Sequence, residues 1–149
     1  VKNTFFTHWF RGFAEGLDKM PEKERAVLLR ECGRACSRSY PLAVYKDAYA
    51  RSSGLVSFLE NLKAAFPELS YRINEDQKSV TIIYNRCACD LYTRGLVKTG
   101  LLCECSRQSL LYNWEAVMGE GSVEVDMKGS LLRGDEKCEF EVKLPASIH

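Results

Sequence analysis

An α+β fold is predicted by three observations on this 149-residue chain. Apolar side chains recur every three or four positions through the first 66 residues, alternation replaces that spacing from residue 69, and a last helical stretch precedes a final alternating pair. Together they give N-terminal helices packed on an antiparallel sheet built from two hairpins with an intervening helix, expected as a single α+β domain over 1–149.

Phe6, Trp9, Phe10, Phe13 and Leu17 share one face of a first helix, from residue 4 to about 19. Pro21 fits the first turn of a second helix, "PEKERAVLLRECGRACSRS", with acidic residues early and basic ones late. Leu28, Leu29, Cys32, Ala35 and Cys36 fall on one of its faces, and Gly33 signals either a close backbone approach or an early helix end. "PLAVYKDAYA" reads as a short helix or turn. "GLVSFLENLKAAF" is a helix that turns Leu55, Phe58, Leu59, Leu62 and Phe66 inward before Pro67 ends it. Leu69, Tyr71 and Ile73 then alternate, "NEDQK" turns, and the β-branched "SVTIIYNR" completes a hairpin. After the connecting stretch 85–108, Leu110, Leu111, Trp114, Val117 and Met118 mark a helix that stops at Gly119 or Gly121. "SVEVDMKGSLL" and "KCEFEVKL" form a second hairpin around "RGDE", with Cys138 in the same core register as Phe140 and Val142.

Charge and hydropathy exclude several classes of function. Lys plus Arg number 21 against 20 Asp plus Glu, and no basic stripe is interleaved with aromatics, so no nucleic-acid partner is expected. Apolar runs fall far short of the roughly 20 residues a membrane span requires, and the aromatic first stretch has neither the apolar core nor the small-residue cleavage site of a signal peptide, so a cytoplasmic location is expected. The aromatic surface of the first helix exceeds one core face and suits ordinary packing, a lid over an apolar pocket, or a homodimer. Tyr40, Tyr45, Tyr49, Tyr92 and Tyr112 offer hydroxyls to line such a pocket.

The chemistry of the sequence is concentrated in its seven cysteines, an odd number. "NRCACDLYTRGLVKTGLLCECSRQ" holds two Cys-x-Cys pairs, Cys87/Cys89 and Cys103/Cys105, and the second helix holds Cys32 and Cys36 one turn apart. Thiolates are soft ligands, and two such pairs supply four sulfurs for a tetrahedral zinc or iron site, with Cys32 and Cys36 as a competing pair. Reversible disulfide chemistry, with Arg86, Arg94 and Arg107 near enough in sequence to lower a thiol pKa, and simple burial are the other two readings. Nucleophilic catalysis by Cys wants a His base, and only His8 and His149 exist.

"CGRAC" (32–36), "CACDLYTRGLVKTGLLCEC" (87–105) and "GSVEVDMKGSLLRGDEKCEFEVKL" (121–144), taken together, resemble the aminothiazoline carboxylate hydrolase-like proteins. More distantly they resemble the vinyl-reductase-type small-molecule-binding domains, and the cysteine pattern is similar to that of a cysteine-rich bacterial set. In the hydrolase-like pattern a Cys, a Gly and a second Cys precede a helix and the last hairpin. Cys87 or Cys89, Gly95 and Cys103 or Cys105 stand in those places here. The resemblance implies an α+β domain that encloses a small ligand, with cysteines able to bind metal. The sequence therefore points first to a small-molecule-binding or sensor domain with a metal-thiolate or redox site at Cys87, Cys89, Cys103 and Cys105, joined by Cys32 and Cys36. A hydrolase acting on a small cyclic amide or thiazoline, and a helix-mediated dimerisation module, are the alternatives.

Overall fold

The computed structural model describes residues 4–74 and 78–146. Helices α1 (Thr4–Lys19), α2 (Glu22–Ser39), α3 (Pro41–Ala50) and α4 (Leu55–Ala65) lead into strands β1 (Leu69–Ile73) and β2 (Ser79–Tyr84). A connection containing the single turn α5 (Asp90–Thr93) and a 3-10 turn at Gly100–Leu102 reaches α6 (Cys103–Met118), and β3 (Glu124–Gly129) and β4 (Cys138–Lys143) complete the fold. The α+β architecture is as the sequence predicts. "PLAVYKDAYA" is a full helix, begun by Pro41 in its first turn. Positions 75–77 of the "NEDQK" turn and His149 lie outside the described residues.

The four strands are antiparallel in the order β1-β2-β4-β3, so the two hairpins meet along β2 and β4. Register fixes one apolar face. Val80 lies opposite Val142, Ile82 opposite Phe140 and Tyr84 opposite Cys138, while Val125 pairs with Val142 on the far side. Because side chains alternate along a strand, these residues line one face together with Leu69, Tyr71 and Ile73. Phe58, Leu59, Leu62, Leu110 and Trp114 from α4 and α6 cover that face. Burial of each such side chain contributes about 1.5–3 kcal/mol. The opposite face is polar, with Lys143 3.2 Å from Asp126.

Helix α2 does not present the face its apolar residues suggest. Leu29, Gly33 and Ser37 are buried, whereas Ala35 and Cys36 are exposed. The line i, i+4, i+8 through Gly33 is the contact line because α6 approaches the α2 backbone there. A Cβ placed on Gly33 would lie 2.6 Å from the Cys105 carbonyl oxygen and 2.9 Å from the Ser109 nitrogen. Of the two readings of Gly33, close approach is therefore the right one. One turn further on, the buried Ser37 hydroxyl donates to the Asn113 side-chain carbonyl across the same crossing. Replacing Asn113 by Ala is expected to cost about 2 kcal/mol by leaving the Ser37 hydroxyl buried without its partner. Urea denaturation of Asn113→Ala checks this, and a further Ser37→Ala change should recover part of the loss.

Helix α1 buries only Leu17. With half-buried Phe10 and Phe13 it packs on Leu29 of α2 and on Val97 and Leu102 of the connection, forming a second, smaller core. Phe5, Phe6 and Trp9 are exposed. Trp9 stacks on Phe13 at 5.8 Å instead of entering the core.

Candidate ligand and thiol sites

Two polar atoms lie inside the main core with no hydrogen bond of ordinary geometry, the Tyr45 hydroxyl and the Trp114 indole nitrogen, and they stand close enough to each other to interact loosely. Tyr45 reaches the core from the middle of α3, Trp114 from α6. Both side chains are essentially inaccessible. Around them the aromatic rings form a cage, with Phe58 5.3 Å from Trp114 and 6.1 Å from Tyr45, both edge-on. Phe66 lies 5.9 Å from Tyr45, and exposed Tyr40 packs outside Phe66. Tyr84, on β2, brings a third polar group against Tyr45, close enough for a weak hydrogen bond between the two phenols. Burial pushes the phenols of Tyr45 and Tyr84 well above their ordinary range, so all three groups stay neutral. A buried polar atom without a partner costs about 1–3 kcal/mol. The loose contacts among Tyr45, Trp114 and Tyr84 therefore leave this part of the core with hydrogen-bonding capacity that is not fully used.

Tyr84 also leads outward to the cysteines. Its cross-strand partner is Cys138, on the same face. The buried Cys138 sulfur accepts from the Leu131 amide at 3.4 Å. The buried Cys103 thiol lies 2.9 Å from the Ser130 hydroxyl. Cys87, half-buried on the connection, has Cys138 and Cys103 among its electrostatic neighbours.

The two Cys-x-Cys pairs are not gathered as one clip. Helix α6 begins at Cys103, earlier than the apolar spacing indicates, so Cys103 and Cys105 stand two positions apart on a helix and point to different sides. Cys103 faces Ser130 and the β3–β4 connection, while Cys105 packs in the smaller core and has Cys36, Cys32 and Cys89 as neighbours. Cys36, exposed along its helix, has Cys89 beside it and Ser109 as a hydrogen-bond partner. All seven cysteines are free. They fall into two groups: Cys32, Cys36, Cys89 and Cys105 at the α2–α6 crossing, and Cys87, Cys103 and Cys138 toward the sheet, with Cys89 in electrostatic contact with both. Among the described residues, no three or more His, Cys, Asp or Glu stand close enough together to hold a metal ion as they are placed.

Burial pushes up the thiols of Cys36, Cys87 and Cys103, and repulsion from neighbouring thiolates adds to it. Cys105 is pushed up to about 12 by burial first and then by Cys36, Cys32 and Cys89. These groups are neutral thiols at physiological pH, which disfavours a thiolate nucleophile. The linkage has a definite sign. The unfolded chain ionises Cys105 from its ordinary value near 8.5, whereas the folded chain resists until about 12, so this stabilisation is whole below the first value and lost as pH rises through the second. Urea midpoints of reduced protein are expected to fall between about pH 9 and 12, and Cys105→Ala should flatten the fall.

Tyr45 is among the tyrosines the sequence suggests for a pocket, whereas nothing in the sequence marks its place beside Trp114. Ser37 and Asn113 are scarcely marked either. Their only signal is a polar residue on an otherwise inward helical face. Of the other suggested tyrosines, Tyr112 lies beneath Arg34 and Arg38, at 5.4 and 5.3 Å, and Tyr92 is exposed on α5. No helix among the described residues is long and apolar enough to cross a membrane.

This arrangement, helices on one face of a β1-β2-β4-β3 sheet, is a fold found among solved structures that hold small organic ligands. The phenol-responsive sensory domain of the transcription activator PoxR, solved with phenol, is similar over 93% of this chain and 74% of its own, at 13% identity and a TM-score of 0.60. Subunit 3 of the trafficking protein particle complex from Naegleria fowleri, covalently bound to palmitic acid, is similar over 97% and 96%, at 15% identity and a TM-score of 0.51. At these identities the likeness is one of fold. No family model matches the chain. No curated protein matches it either.

Proposed function

We propose that this chain is a small-molecule-binding or sensor domain whose ligand engages Tyr45 and Trp114 inside the aromatic cage. The carrying observation is the Tyr45 hydroxyl beside the Trp114 nitrogen, both buried and neither in a hydrogen bond of ordinary geometry. The indole nitrogen only donates and the phenol does either, so the complementary ligand is compact, has an apolar or aromatic body, and bears one oxygen that accepts from Trp114. The fold shared with a phenol-responsive domain and a palmitate-bound subunit supports the same class of ligand. Phe66, with the exposed Tyr40 outside it, stands between Tyr45 and the surface. The Tyr84–Cys138 pair connects this cage to the cysteines, which form a thiol-rich site for a soft metal or reversible thiol chemistry, in keeping with the vinyl-reductase-type resemblance.

The test uses the emission of Trp114 in a Trp9→Phe background, since the chain has two tryptophans. Titration with phenol, short alkyl alcohols and fatty acids is expected to give a saturable change for at least one of them. No response in emission or thermal midpoint from any member contradicts the reading.

A further inference from the structure

Helix α1 carries an aromatic surface that the single chain does not use. Phe5, Phe6 and Trp9 are 65%, 48% and 54% exposed. With Phe10 and Phe13 they form one continuous set of rings, each within 6.5 Å of the next. The helix packs on the smaller core, and none of its residues belongs to the main one, so these rings are no lid over Tyr45. The outer side of α1 also holds Gly12 and Gly16, although glycine is a poor helix former. Neither is used within the chain, since a Cβ on either would meet nothing within 4 Å. Phe5, Trp9, Gly12 and Gly16 follow one another at intervals of four, three and four positions and therefore share one line along the helix. Its N-terminal half is bulky and its C-terminal half is bare.

We infer that this line is the contact between two copies of the chain, paired antiparallel along α1 about a two-fold axis. Phe5 and Gly16 share a midpoint with Trp9 and Gly12, between residues 10 and 11. A two-fold axis at that midpoint sets Phe5 over the partner's Gly16 and Trp9 over the partner's Gly12 together, as a self-complementary contact requires. Parallel pairing would set rings against rings and leave the glycines facing a gap. Charge follows the same symmetry. His8 and Glu15 are exposed and flank the line on one side. The axis brings His8 within one helical turn of the partner's Glu15, and the pair forms twice. A lipid surface suits this helix less, because Arg11 and Lys19 are balanced by Glu15 and Asp18 and leave no basic excess to meet anionic headgroups. The contact involves neither the ligand cage nor the thiols.

Sedimentation velocity of the reduced full chain over a micromolar concentration series is expected to show a reversible monomer–dimer equilibrium. Reduction prevents cross-linking through the exposed Cys36. Trp9→Glu and Phe5→Glu should each weaken association by about a hundredfold, since a symmetric contact suffers every change twice. Gly16→Leu projects farther than the single methyl of Ala, fills the space that receives Phe5 and should weaken association to a similar degree. His8→Glu sets like charges opposite each other and should cost about tenfold. Adding Glu15→Lys to it should restore association, which parallel pairing would not allow. All these positions are exposed, and circular dichroism checks that each variant keeps its fold. A chain that stays monomeric throughout the series overturns the inference, as does a dimer that persists in Trp9→Glu or in Gly16→Leu. Monomeric chain that co-sediments with phosphatidylcholine–phosphatidylglycerol vesicles, and ceases to in Trp9→Glu, would overturn it in favour of a lipid surface.

Discussion

Gly33→Ala is expected to lower the unfolding free energy by about 3 kcal/mol, at the upper end of what overpacking costs. The added methyl would sit 2.6 Å from a backbone oxygen and 2.9 Å from a backbone nitrogen, so no flexible side chain is available to give way. The helices must separate. Separation would also strain the Ser37–Asn113 hydrogen bond one turn along and spread Cys32 and Cys36 from Cys105. Gly12 provides the control, since a methyl there meets nothing within 4 Å. In α1, Gly12→Ala should be neutral or stabilising by up to about 1 kcal/mol, as helix propensity alone dictates. Urea denaturation of the two variants under reducing conditions distinguishes a packing constraint at residue 33 from a general intolerance of helical substitutions.

Tyr45→Phe is expected to act in opposite directions on stability and binding. Removing a buried hydroxyl that makes no hydrogen bond of ordinary geometry should stabilise the protein by about 1 kcal/mol. The same change removes a contact to the ligand and should weaken binding about tenfold, the equivalent of 1.4 kcal/mol. Residues that raise stability when replaced and lower affinity at the same time are characteristic of binding sites built into cores. A merely structural tyrosine would lose stability on truncation and leave affinity unchanged. Thermal unfolding and the ligand titration, run on the same preparation, separate the two.

The fold was largely legible because its elements carry strong periods. The alternation in β3 and β4, the β-branched run of β2 and the Leu-Phe spacing in α4 mark the elements that carry Val80, Ile82, Phe140, Val142, Phe58 and Leu62, all of them in the core. The face of α2 was not legible from its apolar residues. Its buried line runs through a glycine and a serine, whose value is small size and a hydrogen bond, and hydrophobic pattern registers neither. The start of α6 was hidden for a related reason. "CECSRQ" is polar, and its helical state follows from the Glu104–Arg107 ion pair and from packing against Gly33. That misplacement matters for chemistry, since a Cys-x-Cys pair in a loop or strand brings sulfurs together whereas in a helix it parts them. Cys105 consequently joins the cysteines of "CGRAC", a grouping that sequence separation conceals. The Tyr45–Trp114 pair was hidden because the two residues lie 69 positions apart and each fits an ordinary apolar helix face.

The central claim is that the polar pair in the aromatic cage receives a ligand, and emission of Trp114 reports on it most directly. In Trp9→Phe protein, saturable quenching or shift on addition of phenol or another compact alcohol or acid, weakened about tenfold by Tyr45→Phe, is the result this account predicts. Emission that stays constant across the series, or a response that Tyr45→Phe leaves unchanged, would contradict it.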